Sequence, residues 1–279
     1  MISCKKIGAM QGRLSELVDG KIQAFPWKNW KDEFKIAANC GIELIEWTLD
    51  AENLNINPLM TEDGRASVLN LMEKHSISVP SLTGDCFMQS PFWKYSKENS
   101  RKLKIDFLNI CSASNKIGIE YIVVPLVDNG SIETIEQENT IIEFLNSYAE
   151  MFGDLNLKIV FESDYPPKKL KKFIDNFSPD NFGINYDIGN SAALGFNPRE
   201  EFLNYGSRIL NVHVKDRVLN GTTVALGMGD ADFPLVFSLL KNESYYGNYI
   251  LQTARADDGD HEGAIIKYHA MVEDWLSPN

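Results

Sequence analysis

Eight short apolar or β-branched runs recur along the whole 279-residue chain, and each is followed by a longer stretch with helical spacing. They are KIGAMQG (6–12), IELIEW (42–47), VPSLTGD (79–85), YIVVPLV (121–127), KIVFESD (158–164), FGINYDIG (182–189), ILNVHVKD (209–216) and YILQTAR (249–255). Runs of four to seven residues that are apolar on both faces belong to strands covered by helices, the habit of parallel sheets. Between the runs lie amphipathic stretches such as WKDEFKIAANCG, with Phe34, Ala37 and Ala38 on one face, and RASVLNLMEKHS, with Val68, Leu69, Leu71 and Met72. In NCGIELIEW and NKIGIEYIVV a helix ends, Gly41 or Gly118 closes it, and a strand begins at once. Eight βα units in a chain of this length predict a (β/α)₈ TIM barrel of the α/β class. A doubly wound open sheet is the alternative, but it ordinarily has fewer strands. No linker, low-complexity tract or break in composition divides the chain, so a single domain over 1–279 is expected.

Composition narrows the partners. With 44% hydrophobic and 11% aromatic residues the chain can bury a sizeable core. Its formal charge of −12 argues against binding nucleic acid or an anionic membrane surface, which depends on lysine and arginine releasing counterions. Cys4, Cys40, Cys86 and Cys111 are far apart and form no C-x-x-C, so reduced thiols are expected rather than a zinc knuckle or disulfide framework. Neither a secretory leader nor a membrane span is apparent, and a cytoplasmic location is the expectation.

In a barrel of this type the loops converge at the C-terminal ends of the strands, and several runs here end on polar residues that are costly to bury. VFESD places Glu162 after three apolar residues, and NYDIGN places Asp187 between Tyr186 and Ile188. NVHVKD sets His213 between valines, with Lys215 two residues on along the same face, and YILQTAR carries Gln252. Taken singly, a strand histidine is ordinarily a hydrogen-bonded core residue and a strand-end acid a helix cap. On successive strand ends of one barrel they converge, and a divalent cation offsets the cost of burying unpaired carboxylates. Imidazole with carboxylates suits manganese, cobalt, iron or zinc better than calcium.

The order Glu162, Asp187, His213, Gln252, together with MQGRLS (10–15), HVKD (213–216) and LGMGDADF (226–233), resembles the sugar phosphate isomerase/epimerase superfamily of xylose isomerase-like TIM barrels. That group includes ketose 3-epimerases, hydroxypyruvate isomerases and inosose dehydratases. The resemblance implies a divalent metal (Mn, Co, Zn, Fe or Mg) held by Glu162, Asp187 and His213, with Gln252 where many members have a second glutamate. In the epimerases of this family the two metal-bound glutamates are also acid and base, and glutamine cannot exchange a proton near neutral pH. Its amide oxygen can still coordinate a cation. The resemblance therefore implies an isomerase or epimerase working through an enediolate, with Glu162 as base and Lys215 or Asp216 as a replacement acid. A dehydratase (lyase) or a non-catalytic sugar-binding relative is the alternative. Abasic-site nucleases share the fold, but their sites are rich in histidine and this chain has four.

A sugar or sugar phosphate is the expected ligand. Asn190 stands where ketose epimerases have a substrate-binding histidine, and Glu46 matches a position near the sugar, with a salt bridge to a loop lysine as its plainer role. Lys215, Arg217 and the backbone of GMGD (227–230) are candidates for a phosphate or carboxylate; a plain tight turn is the other reading of those glycines. Trp27 in AFPWKNW and Trp93 in CFMQSPFWKY sit in loops expected at the mouth, as a lid over the sugar or as contacts in a homodimer.

Overall fold

The computed structural model describes residues 7–277. Lys6 of the first run and Cys4 lie outside them. Eight parallel strands close into a barrel: β1 (Ile7–Met10), β2 (Leu44–Thr48), β3 (Ser78–Thr83), β4 (Tyr121–Leu126), β5 (Lys158–Ser163), β6 (Phe182–Asp187), β7 (Ile209–Val214) and β10 (Asn248–Leu251). The last pairs with both β7 and β1, which shuts the ring. Between β7 and β10 a small antiparallel ribbon, β8 (Asp216–Arg217) with β9 (Thr223–Val224), rises from the barrel's rim. Each of the eight apolar runs supplies one barrel strand, so the chain is a (β/α)₈ barrel and not an open sheet.

The local devices follow from residue type. Gly41 and Gly118 take φ of +74° and +83° just beyond helices Asp32–Asn39 and Lys97–Asn115, a left-handed turn that a side chain resists. Met10, Leu44 and Ile250 form a small buried apolar cluster of their own. A larger apolar shell, with Trp47, Phe107, Phe161 and Tyr249 among it, lies between strands and outer helices. Two helix faces differ from the expected ones. Glu33 joins Phe34 and Ala37 in the buried face of the first helix while Ala38 is exposed, and in Glu62–His75 only Val68 is buried while Leu69 faces outward. The reason at Glu33 is a tertiary partner: its carboxylate accepts from the backbone of Gly12 at 3.0 Å and from Ser15 Oγ at 2.7 Å, anchoring the loop after β1. Arg255 ties the same loop from the other side, donating to the carbonyls of Gly12, Ser15 and Ile22.

Candidate metal centre

Strand alternation explains which polar side chains point inward. On β6, Asn185 and Asp187 share a face, as do Asn211 and His213 on β7; the register sets Asn185 opposite Asn211 and Asp187 opposite His213. Glu162 arrives from β5. One ligand atom each from Glu162, Asp187 and His213 lies within 4.8 Å of the others, and all three residues are buried.

A second polar layer beneath this trio aims it. Glu46 on β2 is fully buried, and its carboxylate accepts from Ser81 Oγ (2.7 Å), Thr83 Oγ1 (2.5 Å) and Asn211 Nδ2 (2.9 Å). Its fourth partner is His213 Nε2 at 2.7 Å. That bond commits Nε2 and turns Nδ1 toward Glu162 Oε2 at 3.1 Å and Asp187 Oδ2 at 3.9 Å. Asn211 Nδ2 also holds Asn185 Oδ1 at 2.9 Å, which directs the Asn185 amide onto Glu162 Oε2 (2.9 Å) and the Nδ1 edge of His213 (3.0 Å). A carboxylate behind an imidazole is the usual way a metal-binding histidine is oriented.

Burial opposes charge on His213, but the Glu46 and Glu162 carboxylates on its two sides outweigh it and carry the imidazole pKa up to about 10. Burial likewise opposes ionisation of Glu162, yet His213 and Lys215 hold it below the usual carboxylate range. For Asp187 burial wins and its pKa is raised, although Lys215 pulls the other way. The site thus gathers the carboxylates of Glu46, Glu162 and Asp187 around two positive groups, the His213 imidazolium and the Lys215 ammonium, and a divalent ion in the trio would displace positive charge from its ligand atoms. Asp187 supplies a direct test of fit. Its Oδ1 accepts from the Asn190 backbone at 2.8 Å, while Oδ2, deeply buried, receives no well-angled hydrogen bond. Lys215 Nζ stands 2.6 Å from that oxygen as an ion pair. A buried acceptor pointing at two further ligand atoms suits a metal.

Gln252, just beyond β10, is not directed at the trio. Its Oε1 accepts from Lys215 Nζ at 2.9 Å and its Nε2 donates to Gln23 Oε1 at 3.1 Å. Gln23, in the loop after β1, also accepts from Arg13 Nη2 at 2.9 Å and donates to the buried Asp85 carboxylate at 2.7 Å. Burial pushes Asp85 up to about 7 against the Gln23 bond.

The remaining expected site residues fall into place unevenly. Asn190 Nδ2 donates to Glu162 Oε1 at 2.7 Å, so Asn190 borders the trio. Arg217 stands behind it, giving Nη1 to Asn190 Oδ1 at 2.8 Å and its other arms to the Gly221 carbonyl. Glu46 lies one layer below the mouth, where it holds His213 and, among the described residues, pairs with no lysine. The GMGD amides are taken internally: the Asp216 carboxylate accepts from Gly227 and Gly229 at 2.8 Å and from Ala231 at 3.3 Å. Asp216 therefore tethers that loop, and those amides are not open to an anion. Trp93 is buried, edge-on to Phe92 at 5.0 Å and donating to the Gly130 carbonyl at 3.2 Å, which makes it core and not lid. Trp27 is half-buried against Phe25 at 4.9 Å. Asn185, Asn211, Ser81, Thr83 and Gln23 were not anticipated. The first four carried a signal, since each sits at i or i+2 in a polar pair on an otherwise apolar strand.

A closed parallel barrel with two carboxylates and an imidazole gathered at its C-terminal mouth, close enough together to hold a metal ion, defines a (β/α)₈ protein with a candidate metal site. Residues 34–272 match the sequence model of the xylose isomerase-like TIM barrel family, and the chain belongs to that family. It is 25% identical over 238 residues to a putative L-ribulose-5-phosphate 3-epimerase of Haemophilus influenzae, covering 80% of this chain and 83% of that one. An inosose dehydratase of Bacillus cereus is 24% identical over 152 residues, 46% of this chain and 51% of the relative. Among solved structures, the IOLI protein with a bound zinc atom superposes with a TM-score of 0.78 at 17% identity, over 98% of both chains. No described helix is long and apolar enough to cross a membrane.

Proposed function

We propose that this chain is a metal-dependent isomerase or epimerase of a sugar or sugar phosphate, with Glu162 as base and Lys215 as acid. The observation that carries the reading is the Glu162, Asp187, His213 trio at the mouth of this family's barrel, with the Lys215 ammonium between Asp187 and Gln252. Glu162, Asp187 and His213 would hold the ion, which supplies Lewis acidity toward a carbonyl and its neighbouring hydroxyl. The zinc bound by the IOLI protein and the sugar phosphate named for the Haemophilus relative support the metal and the substrate class.

Glu162 is poised as a base because it is ionised and fixed. Asn190 holds Oε1 and Asn185 holds Oε2, so the carboxylate cannot rotate away from the mouth. It would take a proton from the carbon next to the substrate carbonyl and return it to that carbon or its neighbour. One carboxylate can do both on a single face of an enediolate, which fits 1,2-isomerisation. Gln252, having no exchangeable proton near neutral pH, takes no part as a second base; it positions Lys215, whose N–H can protonate a substrate oxygen. Asn190, bonded to Glu162, is the proposed hydroxyl contact.

The test is metal analysis of the purified protein, then deuterium incorporation from D₂O into L-ribulose 5-phosphate and a panel of free ketoses. Bound metal with exchange by the wild type supports a one-base enzyme. Exchange only in Gln252→Glu would move the reading to a site withdrawn from enediolate chemistry.

A further inference from the structure

Asp187 has a single oxygen to offer a cation. Its Oδ1 caps the helix Ile188–Leu194 through the Asn190 N–H, and only Oδ2 is turned toward the ligand edge of His213. That same Oδ2 is 2.6 Å from Lys215 Nζ. The ammonium is also held by Gln252 Oε1, and Lys215 is only 8% exposed, so this is no solvent-washed surface pair. Its stem crosses Gly189 so closely that a Cβ there would come within 2.9 Å of Lys215 Cγ and of its carbonyl oxygen. The backbone is therefore built to let this lysine reach Asp187. A glutamate at position 252 would give the ammonium a second carboxylate partner, whereas the amide accepts its hydrogen bond without adding a charge.

We propose that Lys215 is the resident cation of the metal-free site and that it and the divalent ion act antagonistically on Asp187 Oδ2. Metal loading then moves the ammonium off that oxygen and releases its N–H donors to a bound sugar, which ties readiness of the acid to the presence of the ion. The proposal rests on the metal centre of the function proposed above. A lysine that merely steadied Asp187 as a ligand would have the opposite sign, because its removal would weaken metal binding.

The experiment is calorimetric titration of the metal-stripped full chain with Mn²⁺, comparing wild type with Lys215→Met, which keeps the length of the stem and removes the charge. Removing one positive charge beside the ion should tighten Mn²⁺ binding about tenfold or more. Because an ion that takes Asp187 Oδ2 releases Lys215 Nζ from its ion pair, Mn²⁺ should speed acetylation of Lys215 in the wild type, read by peptide mass mapping, and this arm needs no variant to fold. Equal or weaker binding in Lys215→Met, or acetylation that Mn²⁺ leaves unchanged or slows, overturns the antagonism. Absence of Mn²⁺ binding by both proteins overturns the metal centre itself, and the two failures are thereby distinguished.

Discussion

Glu46→Gln separates a residue that holds the centre from one that touches substrate. The carboxylate accepts four hydrogen bonds, and an isosteric amide can serve only half of them without rearrangement. If its oxygen stays on His213 and Thr83, its NH₂ meets Ser81, which can rotate to accept, and Asn211 Nδ2, which cannot. If the amide flips, its NH₂ meets His213 Nε2, and the imidazole must move its remaining proton to Nδ1, the edge that faces Glu162 and Asp187. Either course leaves a buried group unpaired at about 1–3 kcal/mol. The lost charge partner of His213 adds to this, since breaking a buried pair costs roughly 3–5 kcal/mol when one partner is removed outright. A net loss near 3 kcal/mol corresponds to a fall in Tm of roughly 5–10 °C for a chain of this size. Losing the group that orients a histidine ligand should also weaken metal binding about 10- to 100-fold. Thermal unfolding followed by circular dichroism and Mn²⁺ calorimetry read the two effects. A variant with wild-type Tm and wild-type metal affinity but raised KM would refute the reasoning and return Glu46 to the substrate.

Glu162→Gln should lower deuterium exchange into a turned-over ketose about 10²- to 10⁴-fold, the range for loss of a general base; full exchange would sink Glu162 as the base. Burial raises Glu33 and Asp85 to about 7 in the folded chain, above their ordinary values, so both stabilise the fold in acid. That contribution is lost as pH rises from the ordinary carboxylate range through about 7. Chemical denaturation at stepped pH should show a decline across that window that is shallower in the Asp85→Asn, Glu33→Gln double variant; an unchanged slope counts against it. Trp93→Ala should destabilise the chain by about 3–5 kcal/mol as a core truncation. It should leave KM for the sugar unaltered, and a KM effect without a stability loss would restore Trp93 to the mouth.

The barrel was legible in the sequence because every unit repeats the same local instruction: an amphipathic stretch, a closing residue, an apolar run. Glu162, Asp187 and His213 were legible because a polar residue at the end of a buried strand stands out. Glu46 stands out in the same way, but it lies two residues before the end of β2 and faces inward with Leu44 and Thr48. Its partner His213 is 167 positions away, and no local pattern reports such a distance. Trp93 was misplaced because proline and aromatic residues mark a loop without saying which way it turns; here the ring packs inward against Phe92.

The amide at position 252 shows the limit most clearly. The sequence tells that a carboxylate is missing and therefore that two-base chemistry by a glutamate pair is closed. It does not tell that the vacated role passes to a hydrogen bond with Lys215, because that depends on how a lysine two residues beyond His213 bends across Gly189. Once the bend is seen, the two oddities of the site explain each other. Lys215 rests on Asp187 with a neutral acceptor as its other neighbour, and the amide at 252 holds the lysine without adding a second carboxylate to compete with Asp187. On the proposed reading, a second glutamate would add a metal ligand but would draw the ammonium into a second ion pair and leave the proposed acid less free to reach a substrate.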